Sequence, residues 1–209
     1  MYKIKEIFLT QQGEGYHTGK KSVFIRFTGC NLWSGIEKDR SKAICNWCDT
    51  DFVGTDGLNG GKYTVDEIVK IVWSLWPSDI LDKPFIVCTG GEPLIQLDQL
   101  FVDEMHRNGF KIAIETNGTC LPPEKIDWIC VSPKSNTDLL LKTGDELKFV
   151  YPQINFDPLQ FEKFNFDHFF IQPMDGTNYD KNERMSKEFI NNNPKWKLSL
   201  QTHKILGFP

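Results

Sequence analysis

Three of the six cysteines, Cys30, Cys45 and Cys48, form C-x14-C-x2-C, with the last pair inside Cys45-Asn46-Trp47-Cys48. Three thiolates at that spacing can converge on a metal. Zinc takes four ligands, usually as two close pairs, yet Cys30 has no near partner and no histidine lies within ten residues of the trio. A thioredoxin-like C-x-x-C needs no third cysteine. A 4Fe-4S cluster held by three cysteines keeps one iron open, and that iron can chelate a small molecule. Cluster, zinc site and plain buried thiols all remain open on spacing alone. Of the other cysteines, Cys88 and Cys130 fall in apolar segments, where a thiol serves as a small buried hydrophobe, and Cys120 falls in a turn. A second group with chemistry is Thr89-Gly90-Gly91-Glu92-Pro93. Its glycines let backbone approach a ligand and its Glu can accept from an amine, although the same residues also suit an ordinary turn.

These residues need elements to carry them. Apolar, β-rich segments recur at Ser22 to Phe27, Phe85 to Cys88, Lys111 to Ile114, Trp128 to Val131, Leu147 to Tyr151, Phe169 to Gln172 and Leu198 to Gln201. Between them run helical patterns. Thr64 and Glu67 make a capping box before Ile68, Ile71, Val72 and Leu75. A helix after Asp98 turns Phe101, Val102 and Met105 inward and stops at Asn108-Gly109. Asp157-Pro158 starts a third, and Asn182 to Asn192 forms a fourth that ends before Pro194. Alternating strands and helices imply an α/β fold with a parallel sheet, open or curved into a full or partial barrel. Function in such folds gathers at the carboxyl ends of the strands. The segments following these strands are polar or carry cysteine: Thr28-Gly29-Cys30, the glycine turn, Glu115-Thr116-Asn117, Ser132-Pro133-Lys134, Gln172-Pro173-Met174-Asp175 and Gln201-Thr202-His203.

The 209 residues, 40% hydrophobic, suffice for one domain spanning 1–209, and no repeat or linker divides them. A net charge of -4 lacks the basic excess of a nucleic-acid binder. The apolar runs are far shorter than the roughly 20 residues that span a bilayer, and the first residues lack signal-peptide features. The expectation is a cytoplasmic protein with no membrane or nucleic-acid partner, whose cysteines stay reduced.

Three clustered cysteines followed by a GGEP loop resemble the radical S-adenosyl-L-methionine (SAM) superfamily. The usual spacing there is C-x3-C-x2-C, and this chain inserts Ser34 to Ile44, so that a cluster-loop insertion occupies about 31–44. Gln12-Gly13-Glu14-Gly15, Arg26, Gly29-Cys30-Asn31-Leu32-Trp33, Cys48-Asp49-Thr50-Asp51, Glu115-Thr116-Asn117-Gly118, Ser132-Pro133-Lys134 and Gln201-Thr202-His203-Lys204 are together similar to the 7-carboxy-7-deazaguanine synthase family, from about Lys5 to Pro209. Some members carry the same long cysteine loop. A glycyl-radical activase would share the cysteines and the GGEP-like loop without needing the Gln12-to-Glu14 loop. A zinc-stabilised binding module would leave the polar strand ends idle.

The resemblance implies a modified partial (β/α) barrel of the radical SAM type, a homodimer, and a lyase of queuosine (7-deazapurine) biosynthesis. Its substrate would be 6-carboxy-5,6,7,8-tetrahydropterin. A 5′-deoxyadenosyl radical takes hydrogen from C6, the ring contracts with the help of Mg2+, ammonia leaves, and SAM is regenerated. The electron donor would be a flavodoxin or ferredoxin. Residue by residue, the resemblance assigns the 4Fe-4S cluster to Cys30, Cys45 and Cys48, and Mg2+ to Thr50. It assigns SAM to Trp47, Cys48 and Asp49, to Gly91 and Glu92, to Ser132, Pro133 and Lys134, and to Gln172, Pro173, Met174 and Asp175. Substrate falls to Gln11, Gln12, Gly13 and Glu14, to Arg26 and Thr89, and to His203 and the carboxylate of Pro209. Gln11 stands where the family commonly has Leu, which leaves a backbone contact there.

Overall fold

The structure is a computed structural model describing residues 1–209. Nine strands make one sheet: β1 (Tyr2–Gln11), β2 (Lys21–Phe27), β3 (Gly61–Tyr63), β4 (Phe85–Gly90), β5 (Lys111–Thr116), β6 (Trp128–Val131), β7 (Thr143–Tyr151), β8 (Asn165–Pro173) and β9 (Trp196–Leu198). Their order is β3-β1-β2-β4-β5-β6-β7-β8-β9. Pairing from β2 to β9 is parallel, while β1 runs antiparallel to β2 and β3. β3 and β9 remain edges, so the sheet is a partial barrel open on one side.

Side-chain alternation explains the layers. Ile86 and Cys88, Ile112 and Ile114, and Val23, Ile25 and Phe27 turn outward. There they meet the helices α1 (Val65–Leu75) and α2 (Gln99–Arg107) in the larger core. Leu147, Phe149, Phe169 and Ile171 build a second core beneath α3 (Tyr179–Asn192). Each fully buried Ile or Phe there contributes about 1.5–3 kcal/mol. The intervening residues face the barrel interior: Phe85, Val87 and Ala113 pack at its base, and Arg26, Thr89, Glu115, Cys130, Lys148 and Gln172 lie above them along a cavity.

The capping box forms as the sequence predicts, with Glu67 N–H donating to Thr64 Oγ1 at 3.3 Å and Thr64 N–H to Glu67 Oε2 at 2.7 Å. Asp98 caps α2 through Phe101 N–H at 3.0 Å. Other expectations need correction. Asp157-Pro158 opens only a 3-10 turn, Pro158–Phe161, because Phe161 drops into the second core within one turn. The last strand is Trp196–Leu198 rather than Leu198 to Gln201, since Trp196 fills the core opposite Phe169. The residues after it form a short helix, α4 (Thr202–Leu206), which places His203 in a helix and not at a strand end. The β1 and β3 strands were not expected. Helix α3 starts at Tyr179, ahead of Asn182.

Candidate active site

The cysteine loop leaves the end of β2 and is folded back on itself. Leu32 C=O accepts from both Ile44 N–H and Cys45 N–H, at 3.1 and 3.3 Å, which returns Cys45 to the neighbourhood of Cys30. The inserted residues form a 3-10 turn over Glu37–Lys42, from which Arg40 reaches under the loop. Its guanidinium donates to Asn46 C=O at 3.1 Å and Cys48 C=O at 3.0 Å, and lies 4.1 Å from the Trp33 ring centre. The insertion thus supplies a strut for the Cys45–Cys48 segment.

All three thiols are free, Cys45 buried and the other two half-buried. Leu32 N–H donates to Cys30 Sγ at 3.4 Å. Burial pushes the Cys30 and Cys45 thiols up, while backbone N–H groups and, for Cys45, the Lys134 ammonium favour the thiolate. As a donor set, three soft thiolates on one loop with backbone N–H groups directed at sulfur fit a 4Fe-4S cluster.

Beside the cysteines lies a cavity of about 410 Å³ lined on that side by Cys45, Trp47, Cys48, Asp49 and Thr50. Gly90 and Gly91 form its next wall, and a Cβ on Gly91 would lie 2.2 Å from Gly29 O and 2.6 Å from Cys30 Cβ. Only glycine lets this turn press against the cysteine loop. Ser132, Lys134 and Gln172 complete that side, with Lys134 Nζ donating to Ser132 Oγ at 2.6 Å.

Several expected SAM residues stand back from this wall. Glu92 is fully buried: Oε1 accepts from Thr116 Oγ1 at 2.8 Å and Leu94 N–H at 3.1 Å, and Oε2 from Asn117 N–H at 2.8 Å. Its carboxylate braces the β5 loop rather than facing the cavity. Pro133 C=O accepts from Gln153 Nε2 at 3.1 Å, and Met174 C=O from Asn182 Nδ2 at 2.8 Å. Neither residue lines the cavity, nor do Pro173, Asp175 and Cys30.

The expected substrate residues gather in the same cavity, and Gln201 Nε2 bridges Glu14 to Asp49 at 2.9 and 3.3 Å. Gln11, Gln12, Gly13, Glu14, Arg26, Thr89, His203 and Pro209 all line the cavity. Arg26 Nε donates to Glu6 Oε1 at 2.8 Å, so it faces inward with a carboxylate partner. The His203 ring lies so close over Gly13 that a Cβ there would come within 2.0 Å of Nδ1. Thr202 N–H and Oγ1 both donate to Gly13 C=O, at 2.9 and 3.0 Å, and Thr10 Oγ1 donates to Pro209 C=O at 3.1 Å.

Further residues that the sequence motifs leave without a role also belong to the site. Glu115 lines the cavity and accepts from Gln12 Nε2 at 2.9 Å. Gln201 donates to Glu14 at 2.9 Å, while its own buried Oε1 has no partner and awaits a donor. Lys204 bridges Asp49 at 2.6 Å and Asp175 at 2.5 Å, tying α4 to two loops of the rim. Burial alone would raise the Asp49 carboxyl, and Lys204 with Gln201 holds it below the usual range instead. Lys148 is buried between carboxylates, and a lysine flanked by buried Leu147 and Phe149 in a central strand was the available signal for it. Cys130 is buried as expected, but on the cavity side.

A three-thiol loop and a glycine turn on the carboxyl rim of an open parallel barrel define a radical SAM enzyme. No family model matches the chain. It is 52% identical to the 7-carboxy-7-deazaguanine synthase of Burkholderia multivorans over 209 residues, covering 100% of this chain and 99% of that one. It is 51% identical to the synthase of Caulobacter vibrioides over the same shares of each chain. Its fold matches the crystal structure of QueE from Escherichia coli with a TM-score of 0.68, at 24% identity over 95% of this chain and 93% of that one. The chain belongs to the 7-carboxy-7-deazaguanine synthase family.

Proposed function

We propose that the cavity binds 6-carboxy-5,6,7,8-tetrahydropterin and turns it into 7-carboxy-7-deazaguanine and ammonia, within a single domain spanning the chain. The observation that carries this reading is one cavity lined both by the cluster-loop thiols Cys45 and Cys48 and by the carboxylates Glu14 and Glu115 together with Arg26 and His203. The family uses a 4Fe-4S cluster and SAM, which when bound supply hydrogen-atom abstraction through one-electron cleavage of SAM.

The chain's own residues do the rest. Cys30, Cys45 and Cys48 hold the cluster, with Arg40 fixing the loop beneath it. Gly90, Gly91, Ser132, Lys134 and Gln172 face the space for SAM beside it. Glu14 and Glu115 accept from the N–H groups of the pterin's guanidine-like edge, and Arg26 offers a cation to its carboxylate. Thr50, which lines the same cavity, suits Mg2+ through its hydroxyl as one oxygen ligand among waters and substrate oxygens. α4 sets His203 over Gly13 beside the pterin's space.

The resemblance extends the reading to a homodimer and a flavodoxin or ferredoxin as electron donor, and six free cysteines suit a reducing cytoplasm. No helix is long and apolar enough to cross a membrane. Anaerobic reconstitution tests the proposal. The expected result is about four irons and four sulfides per chain, loss of both in Cys45→Ala, and release of the deazaguanine acid from the carboxypterin. A zinc-only protein without sulfide, or a cluster-bearing protein inert toward that pterin, contradicts it.

A further inference from the structure

At the inner end of the cavity a single ammonium stands between two carboxylates. Lys148 of β7 is 4% exposed. Its Nζ contacts Glu14 Oε2, on the loop after β1, and lies 3.6 Å from Glu115 Oε2 on β5. The other oxygen of each carboxylate is held by a glutamine amide: Gln201 Nε2 donates to Glu14 Oε1 and Gln12 Nε2 to Glu115 Oε1, both at 2.9 Å. Each carboxylate is thus fixed at two points. An ionised carboxylate offers about four lone-pair sites, so roughly two on each remain free, and both residues line the cavity.

Two carboxylates facing one cavity repel each other, and the Lys148 ammonium within reach of both supplies the counter-charge that lets them stand side by side as acceptors. Burial would pull its ammonium down, but Glu115 and Glu14, with Cys130 and Glu146, hold it well above its ordinary value. Burial would push Glu14 up, and Lys148, Gln201 and His203 hold it down. Glu146, below the pair, is pushed up by its own burial and so competes weakly for the lysine. Arg26, Lys134, Lys5 and Lys204 are the other cationic side chains along this cavity.

We propose that Lys148 is a positioning residue that makes the inner end selective for a ring edge presenting only hydrogen-bond donors, by presenting Glu14 and Glu115 side by side as acceptors. This rests on the pterin reading above and deepens it. The 2-amino group and ring N–H of a pterin match such a pair, whereas a lumazine places a carbonyl where the amino group was and meets a carboxylate with an acceptor.

The test is fluorescence titration of the cluster-loaded protein with 6-carboxypterin and with 6-carboxylumazine, neither of which needs turnover. The wild type is expected to prefer the pterin. Lys148→Met should weaken the pterin about tenfold or more and the lumazine little, so that the preference between the two shrinks. Adding Glu115→Gln to Lys148→Met should recover part of the loss, since one carboxylate needs no counter-charge. Lys148→Gln, which keeps a donor without charge, carries the same test should Lys148→Met not fold. A Lys148 variant with wild-type preference for pterin over lumazine overturns the proposal, as does a double variant no better than the single one. A wild type that binds neither compound overturns the pterin reading and this inference with it.

Discussion

At the scale of single residues, Glu92 and His17 show chemistry that motif matching does not reveal. Glu92 looks like an amine acceptor by its place in the GGEP turn, yet its carboxylate accepts from Thr116, Leu94 and Asn117. Glu92→Gln puts an amide N–H among donors, and should cost about 1–3 kcal/mol of stability in the protein without SAM, read from thermal melts. A role confined to SAM would leave that melt unchanged. His17 plugs the barrel base against Trp128 and Phe85, with ring centres 4.3 and 4.9 Å away. Its Nε2 is buried without a partner, and burial, with Lys20 and His168 adding to it, pushes the ring down to about 4. The unfolded chain takes up this proton near pH 6.5 and the native one only near 4, so stability should fall as pH drops through that interval. The group is half-exposed, so screening reduces the effect to about 1–2 kcal/mol. His17→Phe should flatten this limb of the stability curve. Asp51 and Asp56, held down by Lys5, add their own loss only below about pH 4.

At the scale of elements, the regular alternation of the parallel strands and the caps of α1 and α2 were legible, because strong periodicity and a side-chain cap are local signals. β1 was not. Its polar residues Lys5, Glu6 and Thr10 line the cavity, so the strand reads as charged sequence rather than as apolar alternation. The cysteine spacing pointed to three thiols able to converge on a metal, but not to what Ser34 to Ile44 does. Arg40 answers that through contacts with Cys48 and Trp33 that no periodicity encodes. Arg40→Ala should leave the barrel folded and speed cluster loss to a chelator several-fold, followed by visible absorbance. α4 has no buried residue and no side-chain cap, and depends on Lys204 and the Gly13 carbonyl. Lys204→Met should raise KM for the pterin several-fold with kcat nearly unchanged, since this exposed bridge contributes only about 0–1 kcal/mol. An unchanged KM would remove α4 from substrate binding.

At the scale of the whole molecule, the open barrel explains how one chain of 209 residues holds two large partners. The outer face of the sheet is spent on two apolar cores under α1, α2 and α3. The inner face is left polar and carries the cavity from the cysteine loop to the Glu14–Lys148–Glu115 cluster. Lys148 left a sequence signal as a lysine between apolar Leu147 and Phe149, but its partners Glu14 and Glu115 come from elements distant in the chain and were not legible. The central claim is that this cavity performs one reaction with SAM used as a reusable cofactor. The direct measurement is anaerobic turnover of the reconstituted protein with dithionite, Mg2+, excess 6-carboxytetrahydropterin and limiting SAM, read by mass spectrometry. The account predicts more 7-carboxy-7-deazaguanine than SAM supplied. Formation of 5′-deoxyadenosine with no deazaguanine would contradict the substrate assignment while leaving the cluster and SAM site standing.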